Sequence, residues 1–198
     1  KRDPTATSLS DAAYTGMGGW SPDFKFLWRL TRADLVSCGF DMKLVAAYES
    51  EPTHHDDKGL HINLLEFIAI AINLWLSIWF IRKQKEKPGG HVLLLLSDNT
   101  SALSWLRHAA RCHSRPVRHL AYFAHALFIF SGAFDYTQLK GKHLKGSLND
   151  EADACSRPEL FPSLASAIAQ FSRLQTCQHF RIPFGLLSTI ATIISSPR

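Results

Sequence analysis

Four acidic residues lie at the ends of apolar segments, and their types and positions suit catalysis. Asp98 ends the run LLLLSD, and Asp11 interrupts the weakly alternating segment ATSLSDAA. Glu66 lies near the start of the apolar stretch LLEFIAIAINLWLSIWF, and Asp153 lies within NDEADACSR. Because ligand sites in α/β sheets lie at strand ends, neighbouring strands carrying Asp11 and Asp98 would bring two carboxylates together. Helices bearing the other two acids could pack over the same edge.

Each acid also has a simpler structural explanation when it is taken alone. These explanations are helix capping by Asp98, a capping pair of Glu66 with Asn63, a turn at Asp11, and an i,i+4 ion pair of Asp153 with Arg157. A cluster of all four would repel itself, since two unit charges ~4 Å apart cost ~4 kcal/mol at an effective dielectric constant of about 20. Such a cluster needs divalent cations or protonation, and oxygen-only ligands favour Mg²⁺ or Mn²⁺. Two such ions about 4 Å apart can hold the attacking and leaving oxygens of a phosphodiester.

The bulk composition favours a globular chain with a polyanionic partner. The 198 residues are 46% hydrophobic and 20% charged, which is enough for one domain, with or without an appendage. The net charge of +5 and the pI of about 9.1 favour nucleic acid first and an anionic membrane surface second. The apolar stretch 64–80 contains Glu66 and Asn73, so we interpret it as a helix buried against a sheet and not as a membrane span.

The cysteines and the start of the chain indicate an intracellular setting. The four cysteines, Cys38, Cys112, Cys155 and Cys177, include no CxxC pair, which excludes a zinc ribbon. Residues 1–11 contain no apolar segment of the kind found in signal peptides. We therefore expect reduced cysteines and a cytoplasmic or nuclear protein.

The apolar patterns predict an α/β domain, a mixed sheet with helices on its faces. Strands are predicted over 5–12, 18–20, 91–97 and 135–144, with 23–30 either extending the first hairpin or forming a further strand. Helices are predicted over 63–82, 100–110, 117–132 and from about 147, whereas 34–50 is ambiguous and 51–61 reads as a polar loop. Residues 158–198 are either a helical extension of a domain spanning 1–157 or the start of a following module.

In this order the four acids and their surroundings resemble the ribonuclease H family, and most closely the ribonuclease H domains of retroelement polyproteins of the LTR and DIRS-like groups. The segments that carry the resemblance are SDAAYTGMGGW, HINLLEFIAI, LLLLSDNTSAL and KHLKGSLNDEADACSR. The resemblance implies an RNase H-like fold, with a five-stranded mixed sheet in the order 3-2-1-4-5 and helices on both faces. It also implies cleavage of the RNA strand of RNA–DNA hybrids, leaving 3′-hydroxyl and 5′-phosphate ends.

Carried over by position, the resemblance implies roles for individual side chains. Asp11, Glu66, Asp98 and Asp153 would be catalytic ligands of two Mg²⁺ ions, for which Mn²⁺ would substitute. Asp150 and Glu151 are alternative candidates for the fourth metal ligand, but the pattern A-D-x-x-S-R selects Asp153.

Several histidines are further candidates. His143 precedes Asp153 by ten residues and is similar to the loop histidine that assists proton transfer in the family, although a solvated loop histidine explains it equally well. The run His54, His55, Asp56 and Asp57 could hold a metal, but we interpret it as a polar loop.

A basic segment follows the strand that ends at Asp98. Residues 99–134 contain no acidic residue, and their arginines are Arg107, Arg111, Arg115 and Arg118. Such a run is usually a solvated face, but here, with Lys142, it is placed to contact the phosphates of a hybrid duplex. Asn99 and Thr100 could contact the 2′-hydroxyl that distinguishes RNA from DNA, or could cap a helix.

The sequence therefore predicts a metal-dependent endoribonuclease of retroelement reverse transcription, acting on RNA–DNA hybrids beside a reverse transcriptase domain. Two alternatives stay open at this point. One is a DNA nuclease or integrase-like enzyme of related fold. The other is a non-catalytic, connection-type module that only binds nucleic acid.

Overall fold

The computed structural model describes residues 3–41, 62–83, 91–108, 115–130 and 137–195. The strands in these ranges are β1 (Ala6–Ala13), β2 (Gly16–Ser21), β3 (Phe26–Thr31), β4 (His91–Ser97), β5 (Thr137–His143) and β6 (Gln178–His179). The helices are α1 (Arg32–Ser37), α2 (Ile62–Lys83), α3 (Thr100–Arg107), α4 (Arg115–Phe130), α5 (Asp150–Ser156), α6 (Leu164–Gln170) and α7 (Phe184–Ser195), with 3-10 turns at Gly146–Leu148 and Leu174–Thr176.

The strands form one mixed sheet in the order β5-β4-β1-β2-β3-β6. β1, β2 and β3 form an antiparallel meander, whereas β4 is parallel to both β1 and β5. The α/β class with a mixed sheet is as predicted. The predicted count of five strands is wrong, because β6 pairs in parallel with β3 and extends the order at that edge.

The sixth strand is a product of tertiary contact and has no signal in the sequence. Gln178 donates its backbone N–H to the Lys25 carbonyl at 2.8 Å, and Phe180 donates to the Leu27 carbonyl at 2.8 Å. A two-residue strand is too short to have a visible period of alternation.

The central helix α2 is apolar on every side because it lies in the core against the sheet. By length and composition it could cross a membrane, with a mean hydropathy of 2.1, but 83% of its most apolar window is buried inside the structure. Its polar residue Asn73 is 1% exposed and joins the helix to the sheet. The Trp28 indole N–H donates to Asn73 Oδ1 at 2.7 Å, and Asn73 Nδ2 donates to the Leu9 carbonyl at 2.7 Å.

Glycines in β2 let helices on both faces approach the sheet closely. A Cβ added at Gly18 would lie 2.5 Å from Cys155 of α5, and one added at Gly19 would lie 2.6 Å from Asn73 Oδ1 of α2. Successive strand residues point to opposite faces, so α5 and α2 pack on opposite sides of β2.

The C-terminal segment packs into the same layers as the rest of the described chain. The side chains of Leu187, Ile190 and Ile194 in α7 belong to the main hydrophobic core, together with residues of α2 and α4. Residues 178–195 therefore extend the sheet by β6 and the helical layer by α7.

Candidate metal centre

Asp11 and Asp98 lie next to each other at one edge of the sheet. β1 and β4 are parallel, and Leu9 is the register partner of Leu96, so two further residues along each strand bring Asp11 beside Asp98. Asp98 directly follows β4 (His91–Ser97). The carboxyl ends of adjacent parallel strands thus present two carboxylates at the place where α/β sheets bind ligands.

Glu66 reaches the same point from α2. Carboxylate oxygens of Asp11, Glu66 and Asp98 all lie within 4.8 Å of one another. Asp11 and Glu66 are each 4% exposed, and Asp98 is partly exposed. The alternative of a capping pair with Asn63 does not describe Glu66, because its Oε1 accepts the backbone N–H of Ala12 in β1 at 3.2 Å.

One oxygen of this centre stands out chemically. Glu66 Oε2 is buried and has no hydrogen-bond partner within the described part of the chain. A buried carboxylate oxygen without a partner is costly, and a cation bound between the three acids would supply the missing interaction.

The electrostatics of the centre favour protons or a cation. The pKa of Asp11 is raised to about 7, chiefly by burial and also by the charges of Asp98 and Asp153, while a hydrogen bond from Ser156 and the charge of Arg157 act in the opposite direction. Burial first, and then the charges of Asp11 and Asp98, together raise the pKa of Glu66 to about 9. Metal binding requires deprotonated ligands, so a divalent ion here would displace protons.

The three acids fit a hard divalent cation. All the donor atoms are carboxylate oxygens, which suits Mg²⁺, Mn²⁺ or Ca²⁺ better than softer metals. An octahedral ion with ligands at ~2.1 Å places opposite ligand oxygens about 4.2 Å apart. Small side-chain rotations would bring the carboxylate oxygens, which lie within 4.8 Å of one another, to that separation.

Asp153 lies close to the three acids but is not grouped with them among the described residues. Its Oδ1 accepts a hydrogen bond from Arg157 Nε, one turn later on the chain. It is nevertheless near enough for its charge to raise the pKa of Asp11. Of its two rivals, Asp150 is exposed, and Glu151 Oε1 lies 3.5 Å from Arg173 Nη1.

His143 ends β5 at the same edge of the sheet. Its register partner in β4 is Ser97, the residue before Asp98, and its side chain is exposed. The neighbouring Leu144 donates its N–H to the Ser97 carbonyl at 3.0 Å. The predicted histidine therefore lies one strand away from Asp98, at the same level along the sheet.

Asn99 and Thr100 begin α3 beside Asp98. Asn99 is the N-cap, since its Oδ1 accepts the Ala102 N–H at 2.9 Å, and its Nδ2 donates to Asn63 Oδ1 at 2.7 Å. Thr100 is exposed at the first position of the helix. The capping alternative thus describes Asn99, whose amide links the start of α3 to the start of α2.

The predicted basic residues are distributed over α3, α4 and β5. Arg107 is exposed at the end of α3 and donates from Nη2 to the Gly141 carbonyl of β5, which places it near the exposed Lys142. Arg118 is partly exposed on α4. Several predicted residues or their side chains lie outside the described residues, namely Arg111, the side chain of Arg115, and the run His54, His55, Asp56 and Asp57.

Two residues around the centre, Ser156 and Asn149, were not singled out from the sequence. The Ser156 hydroxyl donates to Asp11 Oδ2 at 2.5 Å. Asn149 is 1% exposed and donates from Nδ2 to the Ser10 carbonyl at 3.2 Å, while its Oδ1 is buried without a partner in the described ranges. Both residues fall within GSLNDEADACSR, where a helical spacing of three or four residues from Asp153 was the available signal.

None of the protein-family models, curated proteins or solved structures with which the chain was compared matches it. An activity assigned to this centre therefore has to follow from its own residues.

Proposed function

We propose that the chain is a metal-dependent endoribonuclease of RNase H-like fold, which cleaves the RNA strand of RNA–DNA hybrids. The observation that carries the proposal is the convergence of Asp11, Glu66 and Asp98 within 4.8 Å, together with the buried Glu66 oxygen that lacks a partner in the described chain. Capping, turn formation and surface ion pairing do not account for three acids meeting at one strand edge.

The acids of the centre would hold two Mg²⁺ ions, with Asp153 completing the set from α5. Bound there, the ions would supply a water of lowered pKa and neutralise charge on the phosphodiester oxygens. The side chains themselves fix the geometry. Asp11 is oriented by Ser156, and Glu66 is oriented by the Ala12 N–H. Exposed His143, at the same edge, would carry a proton to or from the reacting oxygens.

The positive charge of the protein supports a nucleic-acid substrate. Arg107 and Lys142 are exposed near β5 and Arg118 is partly exposed on α4, and such side chains contact phosphates without regard to sequence. Thr100, exposed directly after the capping Asn99, is the side chain proposed to lie against the 2′-hydroxyl of the RNA strand.

The setting of retroelement reverse transcription, with a reverse transcriptase domain as partner, is proposed from the resemblance of the four motifs. It adds a biological substrate, the hybrid made during reverse transcription, to the chemistry that the centre supports.

Cleavage assays on three labelled duplexes, an RNA–DNA hybrid, double-stranded RNA and double-stranded DNA, test the proposal. With Mg²⁺ we expect the chain to cut the RNA strand of an RNA–DNA hybrid, leaving 3′-hydroxyl and 5′-phosphate ends, and to stop when EDTA is added. Asp98→Asn should abolish cleavage, whereas Asp3→Asn, an equal change of charge at an exposed site, should not. Cleavage of double-stranded DNA would favour a DNA nuclease instead, and hybrid binding without Mg²⁺-dependent cleavage would favour a non-catalytic module.

A further inference from the structure

Asp153 and Arg157 form an ion pair at the margin of the metal centre. Arg157 Nε donates to Asp153 Oδ1, and the two side chains are 39% and 35% exposed, respectively. Asp153 is therefore held toward its own helix, while the other three carboxylates of the centre converge. An ordinary surface ion pair of this kind would be unremarkable if both partners faced only solvent.

Arg157 does not face only solvent. Its charge acts on Asp11 and on Glu66, lowering the pKa of each against the larger effect of burial. It directly follows Ser156, which bonds Asp11. The guanidinium is thus bound to Asp153 and is near enough to Asp11 and Glu66 for its charge to act on both.

We propose that Arg157 is a positioning residue that sets the affinity for the second metal ion through Asp153. This inference rests on the proposed function. In the metal-free chain it holds the Asp153 carboxylate, and Asp153 ligates the second ion only after it leaves this ion pair. The first ion, held by Asp11, Glu66 and Asp98, binds without that exchange. Arg157 therefore lowers the affinity of the centre for the second ion relative to the first. When the second ion is absent, the positive charge of Arg157 partly neutralises the acids.

The size of the effect follows from the exposure of the pair. Partly exposed ion pairs contribute little because solvent screens them. Removal of Arg157 should therefore strengthen binding of the second ion by about fivefold and not by orders of magnitude. Removal of the Arg157 charge should change the affinity for the first ion less than the affinity for the second.

Titration of the full chain with Mn²⁺, without nucleic acid, tests the proposal. Free Mn²⁺ is counted by electron paramagnetic resonance at constant ionic strength, and thermal melting verifies that each variant is folded. The variants are Arg157→Gln, Arg157→Lys, Asp153→Asn and the double variant of Arg157→Gln with Asp153→Asn. Arg173→Gln is the matched control, because it removes an equal charge that pairs with Glu151 on the same helix.

We expect Arg157→Gln to lower the dissociation constant of the second ion about fivefold, with Arg157→Lys intermediate and Arg173→Gln unchanged. In the Asp153→Asn background the second ion should be lost, and Arg157→Gln should then have no further effect on it. Three results would overturn the proposal. They are an equal gain in affinity for both ions in Arg157→Gln, the same gain with and without Asp153, and only one bound ion in every variant. Two bound ions with the expected coupling but no cleavage of hybrids would instead overturn the proposed nuclease and leave the role of Arg157 intact.

Discussion

Asp11 and Asp98 are neighbours across the β1–β4 ladder, and both carboxylates leave the sheet at the same edge. Their oxygens come within 4.8 Å of each other and of Glu66, although Asp98 lies 87 positions after Asp11 in the chain. The parallel pairing of β1 with β4 brings Asp11 and Asp98 together, and α2, which packs on one face of the sheet, supplies Glu66. Burial of such acids is unfavourable unless protons or cations neutralise them, and this leads to the first prediction.

Glu66→Gln should strongly weaken metal binding without destabilising the metal-free protein. Burial and neighbouring acids raise the pKa of Glu66 to about 9, so near pH 7 the metal-free chain contains the protonated acid, which glutamine resembles in shape and charge. We expect at least a tenfold loss of Mn²⁺ affinity and an unfolding midpoint in EDTA equal to or above that of the wild type. A large drop in that midpoint would mean that Glu66 serves the fold and not a cation.

Asn73→Leu should destabilise the protein and leave metal binding unchanged, which is the opposite of the result expected for Glu66→Gln. Asn73 is also a polar residue of α2, but both ends of its amide are hydrogen-bonded. The substitution leaves the buried Trp28 indole N–H without its partner and removes one hydrogen bond from the Leu9 carbonyl. A buried donor without a partner costs ~1–3 kcal/mol, so the free energy of unfolding in urea should fall by about that amount or more. Mn²⁺ affinity of the folded variant should match the wild type within about twofold, and a selective loss of metal binding would contradict the structural role.

The metal-free protein should become less stable as pH rises from about 4 to 9. The folded-state pKa values, about 7 for Asp11 and about 9 for Glu66, lie above the ordinary values of 3.8 and 4.5. The folded chain therefore binds more protons than the unfolded chain in this interval, which makes stability fall with rising pH. The contribution is fully present below the ordinary values, is lost as pH rises through about 7 for Asp11 and about 9 for Glu66, and is constant above them.

Urea unfolding in EDTA across this pH interval provides the measurement, and Asp11→Asn is the matched variant. The stability of the variant relative to the wild type should increase from about pH 4 to 7 and then level off. Saturating Mg²⁺ or Mn²⁺ should restore wild-type stability most at high pH, since it binds the deprotonated acids. A difference between variant and wild type that is independent of pH would refute the assignment of the raised pKa to Asp11.

The sequence was informative where a local pattern and a functional residue coincide. Asp98 at the end of an apolar run and the long apolar helix around Glu66 both gave a recognisable signal, and the structure places them together. β6 and the partners of Asn73 had no such signal, because they depend on which segments meet in the tertiary fold. Asp153 illustrates the limit, since its spacing to Arg157 predicted an ion pair and its motif predicted a metal ligand. The ion pair is present, and the ligand role is what the Mn²⁺ titration tests.

Gly18→Ala should disturb the centre from β2, the strand that pairs with β1 on the side opposite to β4. Gly18 is the register partner of Asp11 in β2, and a Cβ there would lie 2.5 Å from both the carbonyl carbon and the Cβ of Cys155. Since the obstructing atoms include backbone, α5 has to move away from the sheet, and Ser156 moves with it. Overpacking of this kind costs ~1–3 kcal/mol, and loss of the Ser156 hydrogen bond should weaken Mn²⁺ binding by altering the orientation of Asp11.

Gly185→Ala is the matched control for this overpacking. Gly185 lies in the first turn of α7, and apart from its chain neighbours and the backbone of its own helix no described atom would come within 4 Å of an added Cβ. Alanine is favoured over glycine in a helix, so this variant should be as stable as the wild type or slightly more stable, with unchanged Mn²⁺ affinity. Equal urea midpoints for the two alanine variants would show that α5 does not pack against β2 as closely as the 2.5 Å approach requires. A destabilised Gly18→Ala that binds Mn²⁺ normally would separate the packing of α5 from the orientation of Asp11, and would leave the centre dependent on the β1–β4 pairing and on α2 alone.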